Sequence, residues 1–138
     1  MCAFFIGDKM DYFEIAYKEA LKAKNKKEIP VGAVIVKNNK IIAKACNSRQ
    51  YKYNVLGHAE INCILKAERK LKDWRLDDCE LYVTLEPCEM CNMIINEARI
   101  NNVFYILDKS HKIQTNVCSV VGEKYKSLLK NFFDNLRK

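Results

Sequence analysis

The sequence has only two histidines, and none of the apolar runs in its 138 residues approaches the length needed to span a bilayer. Its opening stretch, "MCAFFIGDKMDYF", has a short apolar patch but neither the basic leader nor the cleavage pattern of a signal peptide, so no export is expected. Internal repeats and low-complexity linkers are also missing, which predicts a single domain over residues 1–138. Disorder is excluded by a composition of 49% hydrophobic against 30% charged residues. A disulfide framework is not expected either. The seven cysteines, Cys2, Cys46, Cys63, Cys79, Cys88, Cys91 and Cys118, are odd in number and irregular in spacing, which fits a reducing compartment and hence the cytoplasm.

What is present begins with charge. A formal net charge of +7 suits a polyanionic partner, or is simply a solvated Lys-rich face. Asp8 is placed to cap a first helix, where Phe13, Ala16, Tyr17, Ala20 and Leu21 recur at helical spacing and "KAKNKKE" closes the last turn. "PVGAVIVKNNKIIAKAC" reads as a hairpin turning at Asn38 and Asn39. "NSRQYKYN" is a polar loop, and its Tyr51 and Tyr53 are open enough to stack on bases. "HAEINCILKAERKL" is a second helix, "CELYVTL" a strand, Cys88 to Ala98 a third helix after Pro87, and "NNVFYIL" another strand. After the loop "DKSHKIQTN", "VCSVV" reads as a short strand and "EKYKSLLKNFFDNLRK" as a closing amphipathic helix. Alternation of strands and helices after the hairpin predicts an α/β protein, with helices covering a mixed sheet of about five strands. Trp74 and Tyr105 are expected in the core, as are Cys46, Cys63, Cys79 and Cys118 as small apolar residues.

The chemistry concentrates in "VTLEPCEMCNMII". Cys88 and Cys91 stand three apart at the start of a predicted helix, so both sulfurs lie on one face, where the helix dipole favours thiolate. Three explanations compete. A redox dithiol uses this spacing. A four-cysteine structural zinc site needs a second Cys-x-x-Cys, which the chain does not have. A mixed zinc site needs a histidine. His111 sits in a polar loop and reads as solvent-exposed, whereas His58 opens the second helix in "GHAEIN", with Glu60 two residues on. His-x-Glu followed by Pro-Cys-x-x-Cys is the pattern of zinc nucleobase deaminases. Tetrahedral zinc takes four ligands; His58, Cys88 and Cys91 supply three and leave one position for water. The two thiolates and the neutral imidazole balance the charge of Zn2+. Glu60, one step beyond a ligand, can reach that water as a general base and later act as an acid, provided its enclosed site tunes its pKa upward.

With those residues in view, the chain resembles the cytidine deaminase-like superfamily, and within it is most similar to the bacterial tRNA-specific adenosine deaminases. The similarity runs from about Tyr12 to Arg137. It rests on "EIPVGAVIV" from Glu28, on Asn47, on "HAEI" from His58, on "WRLDDCELYVTLEPCEMC" from Trp74, and on "FFDNLR" from Phe132. The resemblance implies a three-layer α/β/α fold and one Zn2+ per chain with no organic cofactor. It also implies a homodimer, and hydrolysis of adenosine to inosine at the wobble position of a tRNA anticodon stem-loop. By matching position, Asn47 would hydrogen-bond the flipped base, Ile29 would pack on it, and backbone groups of Ala59 and Glu86 would line the pocket. The chain departs from the family after Asp108, where "KSHKIQTN" has no glycine and the segment before "VCSVVGEKY" is short. Two further readings stand beside this one. A zinc deaminase of a free base, nucleoside or nucleotide, of guanine, cytosine or cytidine type, would share every catalytic residue. A zinc-stabilised binding module would need a fourth protein ligand.

Overall fold

The computed structural model describes residues 5–6 and 9–136. Asp8, expected as the first helix cap, lies outside them. The helix it was expected to cap, α1 (Tyr12–Asn25), is instead capped by Asp11, whose carboxylate accepts from the backbone N–H of Phe13 and Glu14. A two-stranded antiparallel ribbon, β1 (Phe5–Ile6) and β2 (Lys9–Met10), precedes it. The predicted hairpin is β3 (Gly32–Lys37) and β4 (Lys40–Cys46). Its turn residues Asn38 and Asn39 both take positive φ, 51° and 62°, which is what a two-residue turn between right-twisting strands demands. Then come α2 (Ala59–Leu71), β5 (Cys79–Leu85), α3 (Glu89–Glu97), β6 (Asn102–Leu107) and α4 (Ser119–Leu136).

The main sheet has the order β4-β3-β5-β6, with β5 and β6 parallel and the other neighbours antiparallel. Side chains alternate across it, as the pleat requires. Ala33 and Ile35 of β3 and Leu81 and Val83 of β5 face Cys63, Ile64, Ala67, Cys91 and Ile95 of α2 and α3. On the other face Val34, Val36 and Tyr82 meet Tyr12 and Ala16 of α1, and Phe13 packs with Ile106, Val121, Tyr125 and Leu129. The result is the three-layer α/β/α arrangement, with four strands in the mixed sheet.

The expected fifth strand, "VCSVV", leads into a helix: α4 begins at Ser119. Its β-branched residues invited the strand reading. However, Val121 continues the spacing of Tyr125, Leu128 and Leu129, all four buried, so the helical period extends one turn further back. Two other expectations are corrected. Trp74 is 55% exposed rather than core, its ring flanked by the Arg75 and Arg99 guanidinium groups at 5.7 and 5.4 Å. Cys118 is disulfide-bonded rather than a reduced core thiol, whereas Cys63 and Cys79 are buried free thiols and Cys46 is half-buried. Tyr105 packs against the α2–α3 side of the core as expected.

The layers meet most closely at Gly32. A Cβ there would collide with the Ala16 carbonyl and sit 2.6 Å from Ala20 N and 2.7 Å from Glu19 Cβ, all on α1. Gly32→Ala is therefore expected to push α1 off the sheet and lower the free energy of unfolding by about 2–3 kcal/mol, the cost of overpacking against rigid backbone. Urea unfolding of the zinc-loaded protein measures it; a loss under about 0.5 kcal/mol would mean that α1 yields freely.

Candidate metal centre and active site

Two helices of the same layer start beside one another. His58 is the N-cap residue of α2 and Cys88 that of α3. Neither uses its side chain to cap the helix, so imidazole and thiol are left to face each other. His58 Nδ1 lies 3.9 Å from Cys88 Sγ and 3.5 Å from Cys91 Sγ. The three potential ligand atoms all fall within 4.8 Å of one another. Tetrahedral zinc with ordinary Zn–S and Zn–N bonds would hold its sulfur and nitrogen ligands about 3.6 Å apart, so the triangle has the right size. Among the described residues no fourth His, Cys, Asp or Glu joins the cluster.

The local electrostatics also fit a cation. Burial, then the nearby Glu60 and Cys88, push the Cys91 thiol far up, so this pocket favours paired thiolates only with a positive charge between them. Burial, then Arg49, pulls the His58 pKa down and keeps the ring in the neutral form that binds metals. Glu60, in the first turn of α2, is only 4% exposed. Burial raises its carboxyl to about 7, against smaller lowering contributions from a backbone hydrogen bond and from Cys91.

His58, Glu60 and Cys88 line a cleft of about 160 Å³ together with Ile29, Val31, Asn47, Leu85 and Glu86. Asn47 is tied on both sides of its amide. Its Oδ1 accepts from Ala59 N–H at 2.7 Å, and its Nδ2 donates to the Ile29 carbonyl at 3.1 Å. It thus satisfies an otherwise unpaired N–H at the start of α2 and fastens the segment before β3 to that helix. Ala59 itself is buried, and its N–H is donated to Asn47. Glu86 lies at the rim, where its carboxylate accepts from Lys109 N–H at 3.0 Å. The glycine-free loop beyond is closed by Asp108, which accepts from the N–H groups of Ser110 and Lys112, while His111 takes the left-handed φ of 64° that a glycine would take more easily.

Sequence reasoning missed Glu28, Arg49 and Gln50, which also line the cleft. Glu28 is 2% exposed, and its carboxylate accepts from the backbone N–H of Gln50 and Tyr51 at 2.8 and 2.7 Å. The available signal was a charged residue abutting the apolar run "IPVGAVIV". A charge at the end of a buried strand usually needs internal partners.

The family model described as the cytidine and deoxycytidylate deaminase zinc-binding region matches residues 7–107. The tRNA-specific adenosine deaminase of Aquifex aeolicus is 44% identical over 115 residues, 82% of this chain and 76% of that protein. A solved tRNA:A34 deaminase, described as carrying out A-to-I editing at the wobble position of transfer RNA, superposes with a TM-score of 0.70 at 40% identity, covering 71% of each chain. The guanine deaminase of Bacillus subtilis superposes with a TM-score of 0.68 at 39% identity, covering 72% of this chain and 64% of its own. A match over residues 7–107, together with the facing His58, Cys88 and Cys91, makes this chain a member of the cytidine and deoxycytidylate deaminase zinc-binding family.

Proposed function

We propose that the protein holds one zinc ion on His58, Cys88 and Cys91 and hydrolyses adenosine to inosine at the wobble position of a tRNA anticodon. The observation that carries this reading is the buried Glu60 carboxyl, lining a cleft beside three convergent metal-binding side chains. Bound zinc supplies a Lewis acid that lowers the pKa of water from 15.7 to about 7. The chain's own residues do the rest. Glu60 accepts a proton from the attacking water and delivers it to N1 of the purine as C6 is hydroxylated. It then carries the second proton to the departing amine, so that water and adenosine leave as inosine and ammonia. A carboxyl whose pKa lies near the working pH can serve as base and acid in turn. Ile29 packs on the base, and Asn47, already held between Ala59 N–H and the Ile29 carbonyl, keeps one amide hydrogen for it. The backbone of Glu86 borders the ring. Because anticodon-loop bases are already partly unstacked, drawing one into the cleft costs less than from a duplex.

The same reading makes the protein a cytoplasmic homodimer. The homodimer is supported by the exposed Leu65 and Trp74 along a groove that Ile61, Ile64 and Ile94 also line. Among the described residues no helix is long and apolar enough to cross a membrane.

A second reading, deamination of a free base such as guanine, draws on the likeness to the B. subtilis guanine deaminase and uses the same metal cluster. One assay separates the two. Purified protein is incubated with a set of tRNA transcripts bearing A34 and, separately, with guanine, cytosine and cytidine. Inosine is expected at position 34 of at least one tRNA, with no turnover of the small molecules. Turnover of guanine alone would replace the first reading with the second.

A further inference from the structure

The loop between β4 and α2 divides its residues between two concavities. Asn47, Arg49 and Gln50 line the catalytic cleft, whereas Ser48, Tyr51 and Lys52 line a neighbouring groove completed by Lys22, Lys26, Lys66 and Arg69. Five cations thus border one groove. Its single carboxylate, Glu19, is almost buried and already paired with Lys22 at 2.6 Å. Among the described residues, Lys26, Lys52, Lys66 and Arg69 have no carboxylate within salt-bridge reach, whereas Lys124, Lys130 and Arg75 do. The groove also contains a flat ring. The ammonium groups of Lys26 and Lys52 lie 4.8 and 5.9 Å from the Tyr51 ring centroid, and the Tyr51 hydroxyl accepts from Lys26 Nζ at 3.3 Å.

A merely solvated lysine face would not need a rigid backbone, yet this one has it. The buried Glu28 carboxylate grips the N–H groups of Gln50 and Tyr51, and Ser48 N–H donates to the Gly57 carbonyl at 2.7 Å, closing the loop. Gly57 leaves no room for a side chain, because a Cβ there would lie 2.8 Å from Arg49 N and Ser48 Oγ. The loop is therefore a fixed wall between the place where the base is held and a strip of unpaired positive charge.

We propose that this groove binds the phosphodiester backbone of the RNA strand whose nucleotide enters the cleft, with Tyr51 as a stacking platform for a flanking base. The proposal rests on the tRNA reading above and extends it to a second surface. Positive charge neutralises phosphates and releases counterions, and an exposed ring accepts any base. An acidic protein segment would use the charge but leave the ring without a planar partner.

The test measures binding of labelled tRNA transcript to the zinc-loaded protein as a function of KCl. The variants are the triple change Lys26→Gln, Lys52→Gln and Lys66→Gln, and a charge-matched control with Lys40→Gln, Lys126→Gln and Lys130→Gln. The groove variant is expected to bind about tenfold or more weakly at 0.15 M salt, and its slope of log K against log salt should flatten by about two, at roughly 0.7 per lost single-strand contact. The control should change both far less. Equal slopes for the two variants overturn the proposal. So does displacement of tRNA from the wild type by polyglutamate as readily as by an oligoribonucleotide, which would give the groove to an acidic protein. A groove-dependent slope without inosine formation would refute the deaminase reading and leave this surface standing; inosine formation with equal slopes does the opposite.

Discussion

Glu60→Gln is expected to keep zinc at the wild-type stoichiometry and to cut the turnover of tRNA adenosine by at least about a hundredfold, toward ten-thousandfold, the range for loss of a positioned general acid–base group. Glutamine has the same shape and fits the same buried position, so the fold and the His58–Cys88–Cys91 triangle should persist. What disappears is a carboxylate that can take up and release a proton near neutral pH. Metal analysis and single-turnover assays on one sample separate the two effects. Wild-type turnover by the variant would remove Glu60 from the chemistry; loss of zinc along with activity would make it a structural support.

The same variant carries a pH signature in chelator-treated protein. Folded Glu60 takes up its proton near pH 7, whereas its unperturbed value is 4.5. Where the folded state binds the extra proton, acid favours folding. Relative to glutamine, then, wild-type Glu60 should be nearly neutral for stability below about pH 4.5 and should cost up to about 3 kcal/mol above pH 7, where its buried charge has no cation beside it. The stability difference between variant and wild type should therefore grow as pH rises across that window. A difference that does not change with pH would mean that the carboxyl is not desolvated.

How much of this was legible in the sequence depends on how local the cause is. The Asn38–Asn39 turn, the helices behind His58 and Cys88, and the pairing of Cys88 with Cys91 each rest on short-range rules: positive φ, amphipathic period, and thiols one turn apart. Three of the misreadings turn on a partner distant in sequence. "VCSVV" has strand-like composition, but Val121 is buried with Tyr125 against β6 and α1, and that packing draws the segment into a helix. Trp74 looked like core because of its size, yet it lies on the surface with Arg99 beside it, 25 positions away in the chain. Glu28 escaped notice because its partners, the N–H groups of Gln50 and Tyr51, belong to a loop 22 and 23 residues downstream. Asn47 was read from resemblance as a ligand for the base; what the fold shows is that it holds Ala59 and Ile29 together, through contacts that only the folded chain makes.

Cys91→Ser and Cys88→Ser are each expected to abolish both zinc binding and activity, for a reason already visible in the thiols. Cys91 is fully buried and touches Glu60 and Cys88, so its thiolate is tolerable only with a cation in the triangle. A serine hydroxyl is far less acidic than a thiol and offers a harder, weaker ligand, so either change leaves two protein ligands where at least three are needed. Zinc that binds only the folded state stabilises it by RT ln(1 + [Zn]/Kd), about 3–4 kcal/mol at a hundred to a thousand times Kd. For a domain of this size that is roughly 10 °C in melting temperature. Adding zinc to chelator-treated wild type should therefore raise its melting temperature by about that much, while the serine variants should melt near the chelated wild type and stay there when zinc is added. That pattern separates a lost ligand from a damaged core, because a packing defect would lower the melting temperature of the chelated variant while preserving its response to zinc. A serine variant that keeps full metal occupancy and the full thermal response would show that the sulfur in question is not a ligand, and the His58–Cys88–Cys91 assignment would fall with it.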